Sequence, residues 1–203
     1  MATHKVTDGR LARGEARKVL LLDAAVRVVG EQGVGALTHR AVAAGAAVSL
    51  ASVTYHYPSI DDLRRATFEH AGSRIGLDFL DLVVQIAEEP GVPHALDALP
   101  DLCGDFTAHL VTERRTDTIA VFEMIVAAGH DPELGPVKGL LDQRLARLLM
   151  PYVGSEAAAL TVTAAMQGLV LSALSSVAPD RARDPEWLRG AVSDLIRRYR
   201  PAT

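Results

Sequence analysis

The chain has 203 residues, 49% of them hydrophobic and 23% charged, with 21 Lys plus Arg against 25 Asp plus Glu for a formal net charge of −4 at pH 7. That length supplies one ordinary domain or a small one joined to a medium one, and the composition excludes a disordered chain. A single cysteine, Cys103, excludes an internal disulfide framework and a multi-cysteine zinc site, and the negative balance by itself gives no sign of a nucleic-acid partner.

About one residue in six is alanine, whereas aromatics make up only 4%. Alanine costs least in a helix interior, and a strand-built core would want more aromatic and β-branched side chains. The composition therefore predicts an all-α fold. Met1 to Arg13 is polar and lacks the apolar stretch of a secretory signal. With one cysteine, the expected compartment is the cytoplasm.

After this basic N-terminal arm, read as disordered, Leu22, Ala25, Val26 and Val29 repeat at helical spacing and predict a first helix from about Glu15 to Gln32. Gly33 is expected to stop it in the left-handed conformation. Thr38 reads as the N-cap of a short second helix through Gly45, and Ser49 as the N-cap of a third through His56. Pro58 closes the third helix; Ser59, Asp61 and Asp62 open a long fourth. Its stripe of Phe68, Ala71, Ile75, Phe79, Leu82, Val83 and Ile86 runs to Glu88-Glu89-Pro90-Gly91.

Further helices are expected at about 94–114, 117–129, 133–151, 155–178 and 185–200, giving about nine in all. Pro100 is expected to kink or delay the first of these. Ala157 to Pro179 carries no charge and is long enough for a membrane span. It has seven alanines, several Ser and Thr, and no aromatic belt, so a helix buried by protein, with no membrane partner, is the better reading.

Short second and third helices joined by a tight turn have the spacing of a helix-turn-helix, with the third helix the reader of the major groove. The charge divides accordingly. Residues 1–60 hold seven basic and four acidic side chains, while residues 61–203 hold 14 basic and 21 acidic. The expected organisation is a DNA-binding unit over 1–60 and a larger helical unit over 61–203, which holds the candidate residues for ligand binding and dimerisation.

The segment from Arg17 to Leu63 resembles the tetracycline-repressor (TetR) family of bacterial transcriptional regulators. The likeness rests on the ordered set of Gly33, Thr38, Val42-Ala43, Val48-Ser49 and Tyr57-Pro58-Ser59. It departs from the family at three places. Ala47 stands where glycine is usual in the turn; Thr54, followed by Tyr55, replaces a tyrosine; and Ile60 replaces a lysine that meets a phosphate.

The residues of the DNA surface are Thr38, His39, Arg40, Ser49, Leu50, Ala51, Ser52, Thr54, Tyr55 and His56. Thr38 either caps its helix or also meets a phosphate, for which free helix N–H groups are suited. Arg40 sits at the mouth of the motif, where a contact sets affinity and register. The third helix carries no Arg, Asn or Gln, so base reading there rests on apolar and hydroxyl contacts helped by Tyr55, with Val48 and Val53 as inward anchors. Tyr55 and His56 have the alternative of packing on the first helix. Arg10, Arg13, Arg17 and Lys18 are either a DNA-reaching arm or a solubilising tail.

In the larger part, Cys103, Thr107, His109, Glu123, His130 and Gln167 lie among apolar stripes and are the candidates for a small-molecule pocket. No two histidines share an i, i+4 spacing, so no helical metal pair is expected, and no cofactor fingerprint appears. Small groups at Ala165, Gly168, Ser172, Ala173 and Ser176, with Leu169 and the apolar stripe of Leu188, Val192 and Leu195, form the candidate homodimer face, a four-helix arrangement that the family resemblance also implies.

The resemblance implies a homodimeric repressor, released from a palindromic operator in double-stranded DNA by a small-molecule effector, with no catalytic residues. The competing reading is a helical small-molecule-binding protein or enzyme without DNA function, active around His109, Glu123 or His130.

Overall fold

The computed structural model describes residues 3–87, 95–176 and 184–201, with the side chains of 3–12, 80–87, 95 and 96 left aside. Among these residues the chain is helical with no strand: α1 (Thr3–Gln32), α2 (His39–Gly45), α3 (Leu50–His56), α4 (Ile60–Ala87), α5 (Ala95–Val111), α6 (Arg115–Ala127), α7 (Gly135–Val153), α8 (Glu156–Ser175) and α9 (Pro185–Arg198). The expected stops at Glu88 to Gly91 and after Pro179 lie outside the described residues.

Local chemistry sets most of the boundaries. Thr38 Oγ1 accepts the Ala41 amide at 3.1 Å, Ser49 Oγ the Ser52 amide at 3.3 Å, and Ser155 Oγ the Ala158 amide at 3.2 Å. Each cap satisfies a donor that a helix start leaves without an intrahelical partner. Ser59 Oγ takes the Asp62 amide at 3.0 Å and donates to the Asp62 carboxylate at 2.7 Å, which opens α4.

Three expectations are corrected. The arm is not disordered: α1 begins at Thr3, twelve residues before the expected start at Glu15. Gly33 does have a positive φ, but at φ 83° and ψ 163° it lies outside the left-handed helical region. It leads into a 3-10 turn over Val34–Ala36 that sequence periodicity did not reveal. Helix α5 begins at Ala95 and runs through Pro100, so the proline does not delay its start.

The turn between α2 and α3 closes as a Schellman motif. Val48 N donates to Ala43 O at 2.9 Å and Ala47 N to Ala44 O at 3.2 Å, with Ala47 at φ 52°. The position that the family fills with glycine thus keeps the glycine conformation with a Cβ present.

Two apolar cores organise the molecule. The first joins Leu21, Val26 and Val29 of α1 and Val42 and Val53 of α2 and α3 to Leu63, Phe68 and Ala71 of α4. It continues without a break into Ala120 and Met124 of α6, then Leu134 and Val137. The second gathers Phe79, Leu102, Cys103 and Phe106 with Leu149, Tyr152, Val162, Met166, Leu188, Val192 and Ile196.

Two features bring elements unusually close or fix their faces. At Gly30, a Cβ would overlap the Thr116 carbonyl oxygen, so α1 and α6 cross at a distance only glycine allows. Helix α9 turns its apolar stripe inward: Leu188, Val192 and Ile196 are fully buried, and Ser193 Oγ donates to the Pro100 carbonyl at 3.0 Å across the contact with α5. Of the stripe expected to face a second copy, Leu188 and Val192 are therefore buried within the chain and Leu195 is half-buried.

Helix α8 is long and apolar enough to cross a membrane by length and composition. It is instead a core helix on one side, burying Ala159, Val162, Met166, Val170 and Ala173.

Because Ala47 is exposed and carries a positive φ, Ala47→Gly is expected to stabilise the protein by about 1 kcal/mol, the cost of the left-handed conformation for an L residue. Thermal unfolding would then show a rise of about 2–4 °C in Tm. A lower Tm would contradict this account of the turn.

Candidate nucleic-acid interface and ligand cavity

Helices α2 and α3 are held from inside by Val48 and Val53, as the sequence predicts, and by Tyr57 and His39. Val53 is fully buried and Val48 packs against the first core, as inward anchors should. Tyr57 is buried as well, and burial, then the nearby Glu15 charge, raises its phenol above the ordinary range. His39 is half-buried, and its Nε2 lies 2.7 Å from the Tyr57 carbonyl. A carbonyl only accepts, so Nε2 carries the proton and donates. His39 thereby ties the start of α2 to the end of α3.

The remaining expected DNA residues face outward. Thr38, Arg40, Ser49, Leu50, Ala51, Thr54 and Tyr55 are exposed; Ser52 and His56 are half-buried. Tyr55 is 82% exposed and meets the His56 ring edge-on, with centroids 5.1 Å apart, so neither ring is needed to fill the core. Thr54 Oγ1 donates to the Leu50 and Ala51 carbonyls at 3.3 Å, leaving its methyl group available. Arg40 has no ion-pair or hydrogen-bond partner among the described residues. The result is a shallow surface of hydroxyls, small apolar groups, one tyrosine and one unpaired cation on a rigid frame. Such a surface fits a major groove, where methyl and hydroxyl groups meet base edges.

Of the arm, Arg13 and Arg17 are exposed on α1, and Lys18 pairs with Glu15 at 3.0 Å. The Arg10 side chain lies outside the described residues.

Behind the reader lies a cavity of about 640 Å³ between α4, α5, α6, α7 and α8. Its walls are mostly apolar, with Phe79, Phe106, Leu110, Phe122, Ile125 and Leu141 among them. A volume and lining of this kind suit a drug-sized molecule.

Of the six residues expected there, Thr107 and Gln167 line the cavity and the other four do not. Thr107 Oγ1 is already committed, donating to the Cys103 carbonyl at 2.6 Å. Gln167 Nε2 donates to Asp142 Oδ1 at 2.9 Å. Cys103 is sealed in the second core. His109 pairs with Glu113 one turn on, at 3.0 Å. Glu123 accepts the Val34 amide at 3.2 Å and so clamps α6 to the segment after α1. His130 is exposed in the turn after α6.

Sequence reading missed Lys138, Asp142, Arg144 and Arg147, all on α7 and all lining the cavity. Their signal was present: they flank the stripe of Leu141, Leu145 and Leu148. Lys138 and Asp142 form an ion pair with each other.

Also missed was a charge network across α1, α4 and α6. Asp23 accepts from His70 and Arg74, each at 2.8 Å, and Arg74 reaches on to Asp117 at 3.1 Å. Arg114 pairs with Asp78 at 2.7 Å and with Asp117 at 3.4 Å. No cluster of His, Cys, Asp and Glu suited to a metal ion occurs among the described residues.

Of the proposed dimer face, Ala173 on α8 and Leu188 and Val192 on α9 are buried within the chain. Gly168 and Ser172 are exposed; Ala165, Leu169, Ser176 and Leu195 are half-buried. Beside them the open side of α8 adds Leu160, Ala164 and Leu171.

The model for bacterial regulatory proteins of the tetR family matches residues 21–67, and that for the tetracyclin repressor-like C-terminal domain matches residues 94–201. Among solved structures, the multidrug binding protein EbrR, complexed with ethidium, is 30% identical at a TM-score of 0.65, over 92% of this chain and 99% of that one. A tetR-family member from Streptomyces coelicolor A3, SCO1917, is also 30% identical, over the same shares, at a TM-score of 0.67. EbrR is also seen complexed with malachite green, at 28% identity and a TM-score of 0.64, over 92% and 99% of the two chains. No match is found among curated proteins.

Burial pushes the Cys103 thiol from its ordinary 9.0 up to about 12. The thiolate is the reactive form, so native protein at pH 8 is expected to resist a disulfide-exchange reagent and to react fully once unfolded in guanidinium. The folded chain keeps this proton when the unfolded chain has lost it. Stability is therefore expected to fall as pH rises from about 9 toward 12, with a Cys103→Ala variant falling less steeply. Rapid labelling of the native thiol would contradict its placement.

Proposed function

Because the chain belongs to the tetR family of bacterial regulatory proteins, and is a DNA-binding transcriptional regulator and not an enzyme, we propose that it acts as a cytoplasmic homodimeric repressor. In this reading a small molecule releases it from a near-palindromic operator. The observation that carries the reading is the sharing of walls. Helices α4 and α6 line the cavity, and the same two helices pack on α1, the helix against which the reader is built. A molecule filling the cavity has a direct mechanical path to α2 and α3.

Each protomer would place α3 in one half-site, with half-site spacing set by the dimer. Thr38, Arg40, Ser49, Leu50, Ala51, Thr54 and Tyr55 supply the contacts, and His39 works as a brace within the unit. Arg40 and the first amides of α2, those not taken by the Thr38 cap, hold phosphates and fix register; Leu50, Ala51, Thr54 and Tyr55 read bases. The dimer would form through the open side of α8, where Leu160, Ala164, Gly168, Leu171 and Ser172 lie at helical spacing. Small groups there allow a close approach of two helices. The multidrug relative's binding of ethidium and malachite green supports a ligand role for the cavity here.

Release requires that the ligand favour one arrangement of the two reading helices over the other. Its coupling would be on the order of 1–3 kcal/mol and reciprocal, so operator weakens ligand binding by the same factor.

The test starts from fragments of genomic DNA selected by the protein at a stated salt concentration. Arg40→Ala and Tyr55→Ala are expected to weaken binding to the recovered site by about ten-fold or more each, about 1–3 kcal/mol for a good contact. Both variants should remain folded dimers by circular dichroism and sedimentation. Arg40→Ala should also flatten the dependence of binding on salt, as expected when a phosphate contact is lost. Unchanged operator affinity in both variants would overturn this reading surface.

A further inference from the structure

The charge of the cavity wall carries the ligand assignment one step further, resting on the sensing role given above. Its polar groups divide into those already satisfied and those left over. Thr107 donates to the Cys103 carbonyl, and Thr118 Oγ1 donates to the Leu110 and Arg114 carbonyls at 2.9 Å. Both hydroxyls are turned to their own backbone. Asp142 is occupied on both oxygens, by Lys138 on one and Gln167 on the other.

Apart from the exposed Ser73 hydroxyl, what remains is cationic. The lining holds Lys138, Arg144 and Arg147 against a single carboxylate, Asp142. Arg144 and Arg147 are exposed at one side of the cavity and have no ion-pair or hydrogen-bond partner among the described residues. They stand three residues apart on α7, on neighbouring turns of one face. Leu145 and Leu148 between and beside them continue the apolar wall. The rest of the wall is largely hydrocarbon and aromatic, with Phe79, Phe106, Phe122, Leu141 and Met166 in it.

We propose that the cavity takes an amphipathic anion, its apolar body among Phe79, Phe106, Phe122 and Leu141 and its acidic head held by Arg144 and Arg147. A planar guanidinium matches a carboxylate with two parallel hydrogen bonds. An apolar body of this size finds few polar groups to desolvate in the rest of the wall. The ligand charge is thus opposite in sign to that of the ethidium cation bound by the multidrug relative. The one acid of this wall does not attract a cation, because Lys138 already neutralises it.

A matched set of probes isolates the head group: decanoate, decanol and decyltrimethylammonium, titrated as monomers into the full-length protein by calorimetry at pH 7.5. The expected order places decanoate at least ten-fold tighter than either of the others. In the double variant Arg144→Gln/Arg147→Gln that preference should vanish while decanol binding stays the same. In Arg144→Lys/Arg147→Lys part of it should return. Both positions are exposed, so folding is expected to survive and thermal unfolding checks it.

If decanol and the cation bind and decanoate does not, the sensing cavity stands and the charge assignment falls. A preference for decanoate that survives the double Gln variant overturns the role of the two arginines. If none of the three binds, the charge assignment falls together with the sensing role.

Discussion

The structure depends on how closely α1 lies against α6. Gly30 lets the two backbones meet where any side chain would collide with the Thr116 carbonyl. On one side of that crossing, the Asp23, His70, Arg74 and Asp117 network joins α1, α4 and α6. On the other, Glu123 holds the amide of Val34, just beyond the end of α1. A glycine contact, a charge cluster and a backbone clamp thus fix one helix pair at three points.

The consequences spread in both directions. Toward the reader, α1 provides the apolar floor for Val42 and Val53, so the seat of α2 and α3 is only as fixed as α1 itself. Away from it, α4 and α6 continue into the cavity wall. The first core therefore spans the join between the two functional parts, and residues as late as Val137 belong to it. A displacement of α4 or α6 by a bound molecule strains contacts that also position the reading helix. Packed interiors change by switching between arrangements more readily than by stretching, which makes such a crossing a suitable place for control.

Much of this was legible in the sequence where the information is local. Thr38 and Ser49 announce their helices because a cap needs only a side-chain oxygen and an amide two or three residues away. Ala47 was legible as a left-handed turn residue because the motif fixes its place. Face assignment was harder. The stripe of Leu188, Val192 and Ile196 shows that one side of α9 is covered, but amphipathicity does not say by what, and α5 of the same chain covers it. The six polar residues offered as ligand contacts shared one weakness: polarity within an apolar stripe marks a satisfied group as readily as a free one. Glu123 serves a distant backbone amide and His109 a neighbour one turn away, partners that appear only in three dimensions. The charges flanking the leucines of α7 were visible, yet only the fold brings that edge to a cavity.

The crossing of α1 and α6 is what holds α2 and α3 in place. Hydrogen exchange on the Gly30→Ala variant tests it most directly. Faster exchange is expected, by comparable factors, at amides of α6 and of α2 and α3, with α5 and α9 unchanged. Faster exchange confined to α6, with α2 and α3 protected as before, would contradict it.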